Sequence, residues 1–207
     1  KLFQIDTVTI IGGMSLTTAF LGFIYSISYT TAAVTLFMLA LMPFLASLIA
    51  FIFLKEKISK QNFVSMVVAF IGTLVMIYAS AFSGSFFGLI MGFISSLGFA
   101  AFSVALRSKS DIKKFYILIY GGLFCALFSA FLMIINNQDF YIPIKNVYLS
   151  MTHGTLVASG LILFSIGSKQ LLSGELTMLS LLEVVGGIFW AWLPILGINE
   201  VPSINTI

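Results

Sequence analysis

Apolar residues in this chain neither alternate nor gather on one helical face. They run for about twenty residues at a time, as a membrane core about 30 Å thick demands of a helix, with short polar segments between the runs. Seven runs qualify as transmembrane helices: A (8–28), B (32–54), C (63–82), D (86–106), E (115–135), F (148–168) and G (175–195). Each is about twice the length that a tilted barrel strand requires, so the pattern predicts an all-α integral membrane bundle. The joints are short, and consecutive helices are expected as antiparallel neighbours.

Charge orients the bundle. With the N-terminal end inside, the inner segments hold Lys1, Lys55, Lys57, Lys60, Arg107, Lys109, Lys113, Lys114 and Lys169, and the outer segments hold only Lys145. Basic residues stay on the cytoplasmic side, so the first residue is expected inside and the last outside. Trp190 and Trp192 then fall toward the outer interface, where indole rings commonly settle. Composition agrees: 60% of the 207 residues are hydrophobic and 8% are charged, against about 45–50% and about 25% in soluble domains. A lipid bilayer is the implied partner, and nucleic acid is not. The sequence opens on Lys1 without a signal-peptide pattern, which suggests an internal piece of a longer protein.

Within span G stands Glu183. A comparable Asp at the centre of a membrane helix costs about 2.5–3.5 kcal/mol, and such a group marks a functional site by default. The structural alternative is a carboxyl that ties two helices together. Ser180 and Gly187 share its face at spacings of three and four, and Thr177 and Ser180 add hydroxyls on the same helix. Tyr25, Tyr29 and Thr35, near the A–B hairpin, are further candidates for hydrogen bonds to a solute.

A repeat relates B to G. Met38-Leu39-Ala40-Leu41-Met42-Pro43 matches Met178-Leu179-Ser180-Leu181-Leu182-Glu183, and Glu56 and Glu200 follow at the ends of the two helices. The copies lie five spans apart, so they cross the membrane in opposite directions, as in transporters built from inverted repeats. Such folds place a solute site near the midplane, where Gly or Pro interrupts corresponding helices. Pro43 lies at the centre of B, and Gly186-Gly187 follow Glu183 in G.

These segments carry a family likeness. Ser-Tyr-Thr-Thr-Ala-Ala (28–33), Leu-Met-Pro (41–43) and Leu-Lys-Glu-Lys-Ile-Ser (54–59) resemble the end of the first EamA repeat of the drug/metabolite transporter superfamily. Residues 175–203, with Leu-Ser-Leu-Leu-Glu, Trp-Ala-Trp-Leu and Asn-Glu-Val-Pro-Ser, are similar to the matching part of its second repeat. The resemblance implies two inverted five-helix halves and, usually, export of small metabolites. On that reading, 1–82 holds the last three helices of one half and 83–207 the first four of the other. Two spans would then precede this sequence and one would follow it. The family usually has Pro after the Glu of the second repeat; Val184 stands here, so any bend in G is expected from Gly186-Gly187.

Other features read more simply. Gly84, Gly88, Gly92, Ser96 and Ala100 recur every four residues on D, a spacing that lets helices pack closely; Gly22/Ser26 and Ala46/Ala50 do the same. His153 reads as a proton relay or, more simply, as a packing residue; with Cys125 the single cysteine and no ligand spacing near either, neither a metal nor a cofactor is expected. Ser173 is expected to cap span G, with Glu175 in its first turn.

The function that follows is a secondary transporter in the cell membrane, a bacterial inner membrane by expectation, exporting small metabolites or amino-acid-like compounds. Glu183, Ser180, Thr177, Tyr25, Tyr29, Pro43, Gly186, Gly187 and Trp190 would form the solute or proton site. The competing reading is a non-transporting scaffold that assembles through its small-residue faces. An enzyme lacks the necessary nucleophile or metal constellation, and self-association as a homodimer is left open.

Overall fold

The structure is a computed structural model that describes residues 6–79, 85–109 and 113–182. Among these it is all helical: α1 (Thr7–Tyr29), α2 (Ala32–Leu39), α3 (Met42–Leu54), α4 (Lys60–Ala79), α5 (Phe86–Arg107), α6 (Lys113–Ile135), α7 (Ile144–Gly167) and α8 (Ser173–Ser180). Spans A, D, E and F appear as α1, α5, α6 and α7, and span B as α2 and α3 together; these five are long and apolar enough to cross a membrane. The 20 residues of α4 carry span C over a length of about 30 Å. Span G is described only from α8 to Leu182.

The chain runs up and down. The first residues of α1, α4, α6 and α8 and the last of α3, α5 and α7 gather at one end, here called the basic end. Helix α5 is central, packing on α1, α2, α3, α6 and α8. Its small-residue face is used inside the chain: Gly88 and Gly92 face Thr30 and Met38, and Ser96 donates a hydrogen bond to the Met38 carbonyl. The apolar core joins Leu16, Phe102, Ala105, Leu106 and Ile117, with Phe99 and Phe164 packed against it. By contrast, α7 leaves Leu149, Leu156 and Leu163 more than half exposed, as befits a lipid-facing surface.

Local chemistry sets the ends. Asp6 caps α1 by accepting from the Thr9 backbone N–H at 2.9 Å, and it pairs with Lys109 beyond α5. Pro143, with φ −54°, starts α7 four residues before the expected position. Ser173 is not the cap of α8. Leu172 takes that place and offers no side-chain acceptor to the first-turn amides; its own N–H donates to Glu175 Oε2 at 3.0 Å, the reach-back half of a capping box.

The Asp6 pair gives a pH signature. The hydrogen bond from Lys109 holds the carboxyl at about 2 against a usual 3.8; burial opposes this and Thr9 assists it. The folded state therefore favours the carboxylate. The resulting stability is complete above pH 3.8 and disappears as pH falls toward about 2. Asp6→Asn is expected to lower the melting temperature at neutral pH and to flatten its decline across that acid window. A decline equally steep in the variant would exclude Asp6 as its source.

Candidate functional site

Span B breaks at Ala40-Leu41, between α2 and α3. Pro43 occupies the first turn of α3; it has no N–H to return to the Leu39 carbonyl, and its ring crowds that position. The chain closes early instead, with Leu41 N–H donating to the Met38 carbonyl at 3.1 Å. The aligned position of span G behaves alike: α8 stops at Ser180, and Leu181 N–H donates to the Met178 carbonyl at 3.2 Å. Helical structure resumes at Leu182, as it does at Met42. There is no proline within described span G; Ser180 Oγ donates to the Thr177 carbonyl at 2.7 Å, a side-chain competitor for the helix ladder. Thus the aligned positions Leu41 and Leu181 both lie in a turn closed over three residues.

The two interrupted spans touch. A Cβ on Gly174 would lie 2.0 Å from Ser47 Oγ and 3.3 Å from the Pro43 carbonyl oxygen, so glycine alone fits where α8 crosses α3. Pro43 and Thr177 are fully buried. Thr177 Oγ1 donates to its own helix, to the carbonyls of Ser173 and Gly174 at 3.0 and 3.1 Å, which leaves it an acceptor at most toward any solute. Tyr25 and Tyr29 are elsewhere, at the far end of α1 from Asp6. Their rings stack with centroids 6.4 Å apart, and Phe87 packs edge-on against both. Beneath them Ser26 and Thr35 hydroxyls lie 2.9 Å apart and Thr30 adds a third at 3.2 Å from Thr35. Glu183, Gly186, Gly187 and Trp190 lie outside the described residues. The structure therefore brings Pro43 together with the helix of Thr177 and Ser180, and sets the tyrosines apart.

The densest polar constellation is at the basic end. Glu56 Oε1 pairs with Arg107 Nε, and Glu56 Oε2 accepts from Ser173 N–H at 3.2 Å. Arg107 Nη1 donates to the carbonyls of Ser168 and Lys169, both at 3.0 Å. Glu175 Oε1 accepts from Asn62 Nδ2, while Oε2 holds Leu172. A small pocket beside them is lined by Ser47, Glu56, Asn62, Met66, Gly174 and Glu175. Nearby, Lys114 is buried and its Nζ donates to the Ser165 carbonyl at 2.7 Å. Sequence reasoning treated Glu56 as the tail of a repeat and Arg107 as a topology signal, and it passed over Asn62. The available clue was a carboxylate set between two lysines, Lys55 and Lys57. His153 is exposed on α7, and no group of three His, Cys, Asp or Glu suited to a metal ion occurs among the described residues.

Comparison with known families now bears on these helices. Residues 5–78 match the EamA-like transporter family. The EamA-like segment takes in α1 to α3 and nearly all of α4, including the Pro43 break, Glu56 and Asn62; Arg107 and Glu175 lie beyond it. The match points to a membrane transporter rather than an enzyme. No curated protein matches the chain.

Proposed function

We propose that the protein is a secondary active transporter that exports small metabolites or amino-acid-like compounds by alternating access, with the basic end on the cytoplasmic side of a bacterial inner membrane. One observation carries this reading: the corresponding three-residue turns at Leu41 and Leu181, in two spans that cross in opposite directions and pack together. Interrupted helices of this kind present backbone polar groups near the midplane, and irregular backbone at that depth is tolerated only against protein or a wet cavity. The EamA-like segment supports the same reading from the N-terminal side.

The halves are 1–82 and 83–207, and the solute lies between them. Glu183 follows the second turn by two residues, and its carboxylate binds a solute ammonium group or exchanges a proton there. The scaffold reading is weakened, because the span D residues it invoked, Gly88, Gly92, Ser96 and Ala100, are buried within the chain itself.

The test is solid-supported-membrane electrophysiology on the full-length protein in proteoliposomes. Pooled amino acids, amines and nucleosides are applied under a pH gradient to the unsubstituted protein and to Glu183→Gln. A solute-dependent current that falls about ten-fold or more in the variant is the expected result, since losing a charged contact costs about 1.5–3 kcal/mol. A current with unchanged rate and pH profile in Glu183→Gln removes the residue from the mechanism.

A further inference from the structure

The polar cluster at the basic end has a property that the site between α3 and α8 lacks. Each of its two carboxylates links residues that are distant in sequence. Glu56, in the α3–α4 connection, reaches Arg107 at the end of α5 and the Ser173 amide at the start of α8. Glu175, in the first turn of α8, reaches Asn62 at the start of α4. Arg107 extends the network to the two carbonyls that end α7. Here α3 and α4 are joined to α5, α7 and α8 by charged and polar side chains. At the opposite end, the α1–α5 contact is made by Tyr25, Tyr29 and Phe87.

These links are of a kind that can part. The side chains of Arg107 and Glu56 are 23% and 14% exposed, so each retains access to water. Separated, both groups would be rehydrated at little net cost, whereas opening an apolar seam to water would expose surface with no compensating partner. The adjoining pocket ends on Ser47 and Met66, which are buried beneath the cluster against α8.

We infer that Glu56, Arg107, Asn62 and Glu175 form a clasp that closes the basic end of the protein and opens to admit a solute from that side. The inference rests on the transporter reading, but it concerns a movement that is measurable without transport. Breaking either carboxylate link shifts the protein toward the open form. Glu56→Gln keeps an oxygen for the Ser173 amide and sets an NH2 donor against Arg107 Nε–H in place of the charged acceptor. Asn62→Asp sets a second carboxylate against Glu175 and acts on the other link.

The experiment places a reporter below the clasp, Met66→Cys in a Cys125→Ala background, in the full-length protein in sealed vesicles. Its labelling rate by a membrane-impermeant maleimide applied from the basic end is measured with and without each clasp substitution. Labelling about five-fold faster in both variants is expected, the factor that about 1 kcal/mol supplies. Thermal melting in detergent identifies a variant that has lost its fold; should Glu56→Gln do so, Asn62→Asp carries the test. Rates unchanged from the unsubstituted clasp overturn the inference, whatever the transport assay finds. Raised rates in a protein that moves no solute uphold the clasp and fail the transporter reading alone.

Discussion

Gly98→Leu is expected to disrupt the bundle at its centre. A Cβ at Gly98 would lie 2.7 Å from the Ser15 carbonyl oxygen and 2.8 Å from the Ala19 nitrogen, so the obstacle is the backbone of α1 itself. Two turns away the roles reverse: a Cβ on Gly22 would meet the Met91 carbonyl oxygen at 2.8 Å and the Ser95 nitrogen at 2.9 Å. Between these contacts Ser95 Oγ donates to the Ala19 carbonyl at 2.7 Å. Helices α1 and α5 thus touch backbone to backbone, and neither can yield to a side chain by changing a rotamer. Even Gly98→Ala should lose about 1–3 kcal/mol through overpacking, and leucine more. Gly160 on α7 provides the control, since nothing lies within 4 Å of its Cβ position. Thermal melting in detergent should show a large drop for Gly98→Leu and almost none for Gly160→Leu. Equal melting of the two variants would mean that the close approach contributes nothing.

Replacing Arg107 is expected to have the second largest effect on stability. Arg107→Ala leaves the largely covered Glu56 carboxylate without its cation and takes a donor from the Ser168 and Lys169 carbonyls. Hydrogen bonds to charged groups contribute about 1.5–3 kcal/mol each, and the partial exposure of this pair, with water able to replace the lost partner, lowers the loss to about 1–2 kcal/mol. Arg107→Lys separates charge from shape. A lysine ammonium satisfies Glu56, but it lacks the planar fork that serves a carboxylate and two carbonyls at once. It should melt between Arg107→Ala and the unsubstituted protein. If lysine restored the full melting temperature, the fork would be irrelevant and charge alone would suffice.

The spans were legible because the length of an apolar run is a property of the sequence itself, and a bilayer imposes that length directly. Their neighbours were much less so. In lipid the outer face of a helix is as apolar as the inner, so α7 and α5 read alike although one is largely exposed and the other central. The stripe of Gly88, Gly92 and Ser96 did betray a packing face. Gly12, Gly98 and Gly121, which make equally close contacts, lie outside any such stripe and carried no signal. The interruption in span B was expected from Pro43; in span G a bend was expected at Gly186-Gly187, outside the described residues, and no residue at Leu181 announced the turn found there. The polar network escaped because its partners are 51, 113 and 117 residues apart. No local pattern encodes such pairings; they exist only once helix ends have been gathered at one face. Ser173 illustrates the opposite failure: the local pattern suggested a capping hydroxyl, and the cap instead falls one residue earlier, at Leu172, whose N–H is held by Glu175.

The tight turn at Leu41 divides span B into unequal rods, and the longer would act as a lever in any tilt about that point. Helix α3 has 13 residues and so extends about 20 Å from the break toward Glu56. A tilt of about 10° at that fulcrum would carry its far end about 3 Å, whereas a hydrogen bond tolerates about 0.5 Å of stretch between ordinary and ineffective geometry. The contacts at the tip therefore have no graded response to such a rotation: they are either made or lost. A small tilt at mid-membrane would thereby read out at the surface as contacts made or lost.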